Sequence, residues 1–271
     1  EHELPLAIRG GGHNGPGFAM VDDGLVIDLS AMNAVRVDPD ARTARVEGGA
    51  TWGDVDHATH AFGLAAVSGI ISTTGVGGLT LGGGHGYLTR KYGLTVDNLL
   101  GADVVLADGR LVHASDEENP DLFWALRGGG GNFGVVTSLL FQVHPVDTVH
   151  AGPTFWPMEQ AETVLRWYRD FLPNAPRDLY DFFAFLTVPP GPPFPEQLHG
   201  KKMCGVVWCY TGPEDELEQT FAPILDVGEP ALHGVQAMPY PAMQSMFDEL
   251  YAAGDQWYWK GDFVREIPDE A

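Results

Sequence analysis

Cysteine is scarce in this sequence. Its 271 residues include two cysteines, Cys204 and Cys209, which are too few for a disulfide framework. No cluster of cysteine and histidine with the spacing of a zinc site surrounds them. Because they are an odd number of positions apart in a segment that predicts a strand, we expect the two thiols to point to opposite sides and to take part in ordinary packing.

Basic residues and long apolar runs are also lacking. Lysine and arginine total 15 against 37 aspartates and glutamates, for a formal net charge of −22 at pH 7. A surface of that sign repels phosphate backbones, so we expect no nucleic-acid partner. No apolar run approaches the roughly 20 residues of a membrane-spanning helix, so we expect no membrane partner either.

The opening residues predict where the protein works. Glu1-His2-Glu3 leads into the apolar run 4–8, which is short enough for a buried strand, without the basic and apolar regions of a signal peptide. We therefore expect a soluble protein in the cytoplasm. Export stays open as an alternative, should the natural chain begin earlier.

Glycine is abundant but unevenly distributed along the chain. Three glycine-dense segments lie before about residue 146, and ordinary amphipathic elements follow. A chain of 271 residues is long enough for two domains of ordinary size. We therefore predict one domain over residues 1–146 and a second over residues 147–271.

Apolar periodicity and turn residues predict the secondary structure. In the first domain they indicate strands over 4–8, 25–29, 44–47 and 135–143, helices over 51–62 and 121–127, and a hairpin turning at Asp108-Gly109. In the second domain they indicate helices over 161–172, 217–225 and 243–250, and strands over 182–188 and 203–210. His57 and His60 have a spacing that can bind a metal, but without a visible third ligand we predict no metal site.

The first glycine-dense segment combines a histidine with many bare backbone amides. It reads Arg9-Gly-Gly-Gly-His13-Asn-Gly-Pro-Gly17. Glycine permits backbone geometries and close ligand approach that a Cβ would block, and consecutive free N–H groups there could hold a phosphate. The loop by itself leaves four roles open for His13: a ligand, a base, a covalent anchor, or a polar residue satisfied in a turn.

The other two glycine-dense segments cover residues 68–86 and 128–134. No ordinary helix or strand tolerates the glycine content of residues 68–86, whereas the Ile, Val and Leu residues among the glycines are unlike a flexible linker. Its hydroxyls and free amides suit the polar atoms of a ligand. We therefore expect this segment to fold irregularly around a bound molecule.

Nucleotide-binding motifs do not explain these glycines. Residues 10–15 and 129–134 both satisfy G-x-G-x-x-G, but the dinucleotide-binding fold needs a helix directly after that motif. Here the first match runs into Pro16 and the second runs into a predicted strand. A P-loop and the nucleophile elbow of hydrolases are absent from the sequence.

Taken in order, four stretches resemble the FAD-linked oxidases of the vanillyl-alcohol oxidase superfamily, whose FAD-binding domain is of the PCMH type. These stretches are residues 9–14, 74–86, 90–98 and 121–137. They match the berberine bridge enzyme-like branch in order and spacing over nearly the whole first half of the chain.

The resemblance implies an α+β fold. Residues 1–146 would be the FAD-binding domain, made of two α/β subdomains, the first of them incomplete because the family's leading segment is missing. Residues 147–271 would be a partial substrate domain, with an antiparallel sheet and helices. Relatives continue beyond Ala271 with the usual catalytic base and a closing flavin-binding segment, so this chain is expected to be truncated at both ends.

The resemblance also implies how FAD is attached. The histidine that matches His13 is joined to the flavin 8α-methyl group in that family, and many members add a second link from a cysteine in the other glycine loop. The matching position here is Ile71. The resemblance therefore predicts FAD attached through His13 only.

Further site residues follow from the same resemblance. FAD would be bound by two glycine loops and a groove, through Gly10, Gly11, Gly12, Asn14, Gly15, Ser72, Thr74, Gly75, Gly77, Gly78, Asp97, Asn132, Gly134 and Val136. For Asp97 a helix or turn cap is the alternative. His85 matches a position that faces the flavin ring, with a hydrogen bond inside its own loop as the alternative. Lys260 could meet the substrate or lie on the surface.

The implied activity is that of an FAD-dependent oxidoreductase. It would remove a hydride from a carbon bearing a hydroxyl or an amine, in a small-molecule substrate such as a sugar or a secondary metabolite, and pass electrons to dioxygen or another acceptor. The alternative is a degenerate or non-catalytic flavin-binding module, or a fragment that needs a complementing segment.

Overall fold

The alternating apolar segments of the first half form a five-stranded sheet in the computed structural model. The structure describes residues 4–191, 194–251, 254, 258, 261 and 264–269. Two units can be distinguished: one comprises Glu1–Asp147 and Pro239–Trp259, the other Thr148–Met238 and Lys260–Ala271. Residues 239–259 thus return to the first unit, a return for which the residue pattern held no signal. The functions assigned to residues 1–146 and 147–271 stay predictions.

Seven helices and fourteen strands are formed by the described residues. The helices are α1 Trp52–His60, α2 Val76–Leu81, α3 Thr89–Tyr92, α4 Pro120–Leu126, α5 Ala161–Phe171, α6 Leu217–Leu225 and α7 Tyr240–Gln244. The strands are β1 Leu6–Arg9, β2 Leu25–Asp28, β3 Val35–Asp38, β4 Thr43–Glu47, β5 Leu64–Ala65, β6 Leu99–Val105, β7 Leu111–Ala114, β8 Val135–Gln142, β9 His144–Pro145, β10 Thr148–Pro157, β11 Leu179–Thr187, β12 Lys202–Tyr210, β13 Leu232–His233 and β14 Gln236–Pro239. None of the helices in the described residues is long and apolar enough to span a membrane.

The first unit contains a parallel pair, β1 with β2, and the antiparallel sheet β3-β4-β8-β6-β7. Alternation explains β4, since Ala44 and Val46 are buried while Arg45 is exposed. The predicted hairpin is confirmed, because β6 and β7 pair across a turn in which Gly109 has a φ of +83°.

Helix α1 packs against the core of the first unit. Trp52 and Val55 on one face of α1 are fully buried, and the Trp52 ring lies 5.7 Å from the Phe141 ring of β8. Burial of each such large side chain stabilises the fold by roughly 1.5–3 kcal/mol. The predicted helix is confirmed, and it positions the loop that precedes α2.

The second unit is built on the antiparallel order β11-β12-β10-β13, with β14 also paired to β10. Its core includes Trp156, Trp208 and Phe221. Cys204 and Cys209 are both free and buried on β12, so their predicted packing role is confirmed. Burial raises the pKa of the Cys209 thiol to about 12, which keeps that thiol protonated and unreactive at neutral pH.

Two local expectations were wrong. The segment of residues 68–86 is not irregular throughout, because residues 76–81 form α2. Val76 and Leu81 of that helix lie in the core, and their burial outweighs the roughly 1 kcal/mol that an internal glycine costs. The strand predicted as buried near the start is largely exposed: in β1 only Ala7 is buried, because β2 is its one strand neighbour among the described residues.

Replacing Thr51 with alanine is expected to lower the free energy of unfolding by about 0.5–2 kcal/mol. Thr51 and Asp54 form a reciprocal capping box: the Thr51 amide donates to Asp54 Oδ2 at 2.8 Å, and Thr51 Oγ1 accepts from the Asp54 amide at 3.4 Å. Urea denaturation measures the change. Thr51→Ser keeps the acceptor oxygen, so an equal loss in both variants would contradict the capping role.

Candidate functional site

The loop after β1 presents unpaired backbone amides. Within the described part of the chain, no acceptor receives a hydrogen bond from the backbone N–H groups of residues 10–15. Gly12 has a φ of +71°, which a residue with a Cβ rarely adopts. Asn14 closes the turn that follows, since its carbonyl accepts from the Gly17 amide and its Oδ1 from the Phe18 amide, both at 3.0 Å.

The second glycine loop meets the first one backbone to backbone. A Cβ added to Gly11 would lie 2.4 Å from the Gly75 nitrogen, and a Cβ added to Gly75 would lie 2.3 Å from the Gly11 nitrogen. Gly10 and Gly77 both approach the carbonyl oxygen of Gly48, at 3.2 and 3.0 Å from their added Cβ atoms. Only glycine fits at the crossing of the two loops.

His13 lies where these loops meet. Its exposed ring reaches the second loop, with Nε2 3.0 Å from Thr73 Oγ1 and Nδ1 3.4 Å from Thr74 Oγ1. Because a hydroxyl can both donate and accept, either imidazole tautomer is accommodated. The shorter contact is the one at Nε2.

Helix α1 fixes one side of the loop that carries these hydroxyls. The Gly53 amide donates to the Ser72 carbonyl at 2.8 Å, and the Trp52 amide donates to the Thr74 carbonyl at 3.0 Å. These bonds come from the first turn of α1, whose amides have no partner within the helix. The loop carbonyls therefore provide the hydrogen-bond partners that these helix amides lack within α1.

One carboxylate, Asp248, contacts the same loop, and a second, Asp56, is close enough to Asp248 for their charges to interact. Asp248 accepts from the Ser72 amide at 2.9 Å through Oδ1 and from the Ser72 hydroxyl at 2.5 Å through Oδ2. Asp56, on α1, is only 2% exposed, and neither of its carboxyl oxygens has a hydrogen-bond partner in the described residues. Desolvation, followed by the charge of Asp248, raises the pKa of Asp56 well above the ordinary range.

A third region of the predicted site contains four residues: Asp97, Asn132, Gly134 and Val136. Asp97 caps its own turn, accepting from the Leu94 amide at 2.8 Å, which is the alternative role stated for it; its place in a cofactor groove stays a prediction. Arg127 joins this turn to the third glycine cluster, with its Nη2 3.9 Å from Asp97 and its Nε donating to the Val96 carbonyl at 3.2 Å.

Within that cluster, Asn132 Nδ2 donates to the Gly129 carbonyl at 2.9 Å. Gly134 has a φ of +146° and lies against the Val105 carbonyl, so a side chain there would be strained. The Val136 side chain is buried in the core of the first unit, which leaves its backbone as the part that a ligand could meet.

The two proposed catalytic side chains have different outcomes. His85 follows Gly83 and Gly84, both with positive φ, and partial burial lowers its pKa below the ordinary histidine value. Lys260 lies outside the described residues, so its role stays a prediction.

Three residues of this site were not singled out from the sequence. Thr73 contacts His13, Asp248 contacts Ser72, and Asp56 is buried on α1. Asp56 had a detectable signal, since it lies one turn after Trp52 on the apolar face of α1. Asp248 had none, because its partner is far away in the chain.

The glycine crossing fits a dinucleotide cofactor. A Cβ at Gly11 or Gly75 would clash with the backbone of the other loop, and the amides of residues 10–15, which bond to no acceptor among the described residues, offer donors for pyrophosphate oxygens. A family model described as an FAD binding domain matches residues 1–115. Residues 1–115 are thus similar to an FAD binding domain.

Known FAD-linked enzymes resemble the chain beyond that domain. It is 34% identical over 269 residues to an FAD-linked oxidoreductase from Dictyostelium discoideum, covering 98% of this chain and 56% of the relative. The FAD binding domain therefore lies in a homologue of FAD-linked oxidoreductases, as the sequence predicted. The narrower berberine bridge enzyme-like branch stays a prediction.

Solved structures share the α+β fold, which is confirmed. 6-Hydroxy-D-nicotine oxidase from Arthrobacter nicotinovorans superposes with a TM-score of 0.82 at 33% identity, covering 93% of this chain and 55% of that one. Glucooligosaccharide oxidase from Acremonium strictum, described with a 6-S-cysteinyl, 8α-N1-histidyl FAD, superposes with a TM-score of 0.75 at 26% identity, covering 94% and 52%. The chain spans about half the length of these proteins.

The buried Asp56 predicts a pH-dependent stability. Above the ordinary aspartate pKa the unfolded chain releases this proton while the folded protein keeps it, so the free energy of unfolding falls as pH rises toward the raised pKa. Asp56→Asn binds no proton and should gain stability relative to wild type as pH rises, by up to about 1.4 kcal/mol per pH unit.

Urea denaturation at several pH values between 4 and 8 measures this difference. Asp116→Asn removes an exposed carboxylate and is the matched control. The same pH-dependent gain in both variants, or none in Asp56→Asn, would show that Asp56 is not a buried proton-holding group.

Proposed function

We propose that this protein is an FAD-dependent oxidoreductase that holds FAD covalently through His13 and oxidises a small molecule at a carbon bearing a hydroxyl or an amine. When bound, FAD supplies the hydride acceptor and the route for electrons to dioxygen or another acceptor. The proposal concerns the whole protein. The chain spans about half the length of the relatives it matches.

The observation that carries the proposal is the position of His13 at the glycine crossing. An exposed imidazole, oriented by two hydroxyls, lies beside a close approach of two backbones that a side chain would block. Such an arrangement brings a nucleophilic nitrogen next to a surface built for a flat or phosphorylated ligand. The histidyl FAD described for glucooligosaccharide oxidase supports the cofactor class, and the nicotine oxidase supports the reaction class.

The proposed binding residues divide into those that act by backbone and those that act by side chain. Backbone amides would serve for pyrophosphate and isoalloxazine at Gly10, Gly11, Gly12, Gly15, Gly75, Gly77, Gly78, Gly134 and Val136. Side chains would add contacts at Asn14, Ser72, Thr74, Asp97 and Asn132. Thr73 joins this set as an orienting partner of His13.

The link would be single. Glucooligosaccharide oxidase is described with a second, cysteinyl bond to FAD. Ile71, at the position proposed to match that cysteine, is buried at 7% exposure. Its side chain has no nucleophilic atom that could form such a bond. Formation of the His13 bond would remove the imidazole N–H and one 8α C–H hydrogen. The two electrons would go to dioxygen, which becomes hydrogen peroxide.

In the reaction itself, this chain's residues would orient the substrate and the cofactor. His85, with its pKa lowered by burial, would be neutral at pH 7 and able to accept a hydrogen bond from a substrate hydroxyl or ammonium group. The main catalytic base is proposed to lie in the part of the protein that this chain does not contain.

His13→Ala is expected to abolish acid-stable flavin. In wild type, flavin should remain with the polypeptide after acid precipitation and give a yellow, fluorescent band on a denaturing gel. The variant has no nitrogen to form the bond, so its flavin should be extracted completely. His57→Ala replaces an exposed histidine on α1 and is the control; acid-stable flavin retained by His13→Ala would disprove the assignment.

The reaction class is tested by anaerobic bleaching of the flavin absorbance. Oligosaccharides, secondary amines and hydroxylated aromatic amines are added in turn to the full-length protein, and a fall in absorbance near 450 nm identifies a hydride donor. We expect one of these classes to bleach the flavin, with recovery on admitting air. A normal flavin spectrum that no compound bleaches would favour the non-catalytic flavin-binding module.

A further inference from the structure

A segment late in the chain that belongs to the first unit is bound to the second glycine loop by three polar side chains. Residues 240–248, here called the pinning segment, consist of α7, a turn and the first residue of a 3-10 helix. Tyr240 Oη contacts Ser68 Oγ at 3.2 Å, Gln244 Nε2 donates to the Gly69 carbonyl at 2.7 Å, and Asp248 accepts from Ser72.

Two of the three residues that make these contacts, Tyr240 and Gln244, are buried. Tyr240 and Gln244 are 1% and 0% exposed, and Tyr240 Oη also donates to Gln244 Oε1 at 3.1 Å. Buried polar groups that satisfy one another hold their elements in one arrangement. The pinning segment therefore holds residues 68–72 in place through hydrogen bonds. Helix α1 does the same for the carbonyls of Ser72 and Thr74.

Asp248 makes the contact nearest to His13 along the loop. Its two oxygens accept from both donors of Ser72, at 2.9 and 2.5 Å. A carboxylate is an acceptor at both oxygens, so it satisfies the amide and the hydroxyl together. An asparagine has one acceptor oxygen, and its amide NH₂ would face the second donor.

The next two residues hold the imidazole. Thr73 and Thr74 follow Ser72 directly, and their hydroxyls lie 3.0 and 3.4 Å from the two ring nitrogens of His13. A shift of Ser72 would be transmitted to both hydroxyls because they are one and two peptide units away. Displacements of about 1 Å in a reacting group can reduce a rate by up to about a hundredfold.

We propose that Asp248 is a positioning residue for covalent attachment of FAD: by binding both donors of Ser72, it places the Thr73 and Thr74 hydroxyls that orient the His13 ring. The interaction couples the anchor histidine to a segment that lies about 235 positions later in the chain. This inference rests on the proposed function, since it assigns a role in forming the His13 bond.

Asp248→Asn is expected to slow attachment at least about tenfold when apoprotein of the full-length protein is mixed with FAD and acid-stable flavin is followed over time. Ser72→Ala keeps the amide contact and loses the hydroxyl contact, so it should slow attachment less. In ¹⁵N-resolved NMR spectra of the apoprotein, Asp248→Asn should shift the Nε2 resonance of His13, because the contact with Thr73 is altered.

Glu249→Gln removes an exposed charge at the adjacent position. Ser245→Ala removes a hydroxyl whose hydrogen bonds, among the described residues, stay within the pinning segment. Both variants should match wild type. Circular dichroism and thermal unfolding identify any variant that fails to fold, in which case Ser72→Ala decides. Unchanged attachment rate and unchanged His13 resonances in folded Asp248→Asn would overturn the proposal.

The two proposals can fail separately. If wild type forms no acid-stable flavin, the covalent assignment of His13 is wrong. The Nε2 resonance of apoprotein then still reports whether Asp248 orients the ring, and a resonance that does not respond to Asp248→Asn rejects the positioning role.

Discussion

The close approach of the Gly11 and Gly75 backbones is the constraint on which the rest of this site depends. Each would place an added Cβ within about 2.4 Å of the other's nitrogen, a distance that no side chain can occupy. The approach puts the loop after β1 beside the start of α2, and so places His13 against Thr73 and Thr74. The contacts of the His13 ring with both hydroxyls require these two loops to stay together.

That contact is maintained by hydrogen bonds from two directions. The first turn of α1 donates to the carbonyls of Ser72 and Thr74, while Asp248 accepts from the amide and hydroxyl of Ser72. Ile71 of the same loop is buried, so these hydrogen bonds act together with apolar burial. Asp56 lies on α1, buried without a hydrogen-bond partner in the described residues. Its burial, together with the charge of Asp248, raises its pKa.

The residue pattern predicted the first unit well where one local rule decided the outcome. Alternation in β4 and the Asp108-Gly109 turn each depend on neighbours within a few positions. It was wrong at α2, where glycine content favoured an irregular segment and the burial of Val76 and Leu81 prevailed. It also treated β1 as buried, which depends on how many strands flank it.

By itself the sequence determined that residues 9–15 and 74–78 are rich in glycine and that the first of these segments contains a histidine, and their order along the chain was enough to reveal the similarity to FAD-linked oxidoreductases. Only the tertiary structure decided which loop atoms meet and what holds them. The reason is physical: glycine marks where a close approach is allowed but not what approaches. The partners of His13 and Ser72 are about 60 and 176 positions away, far beyond the reach of any local pattern.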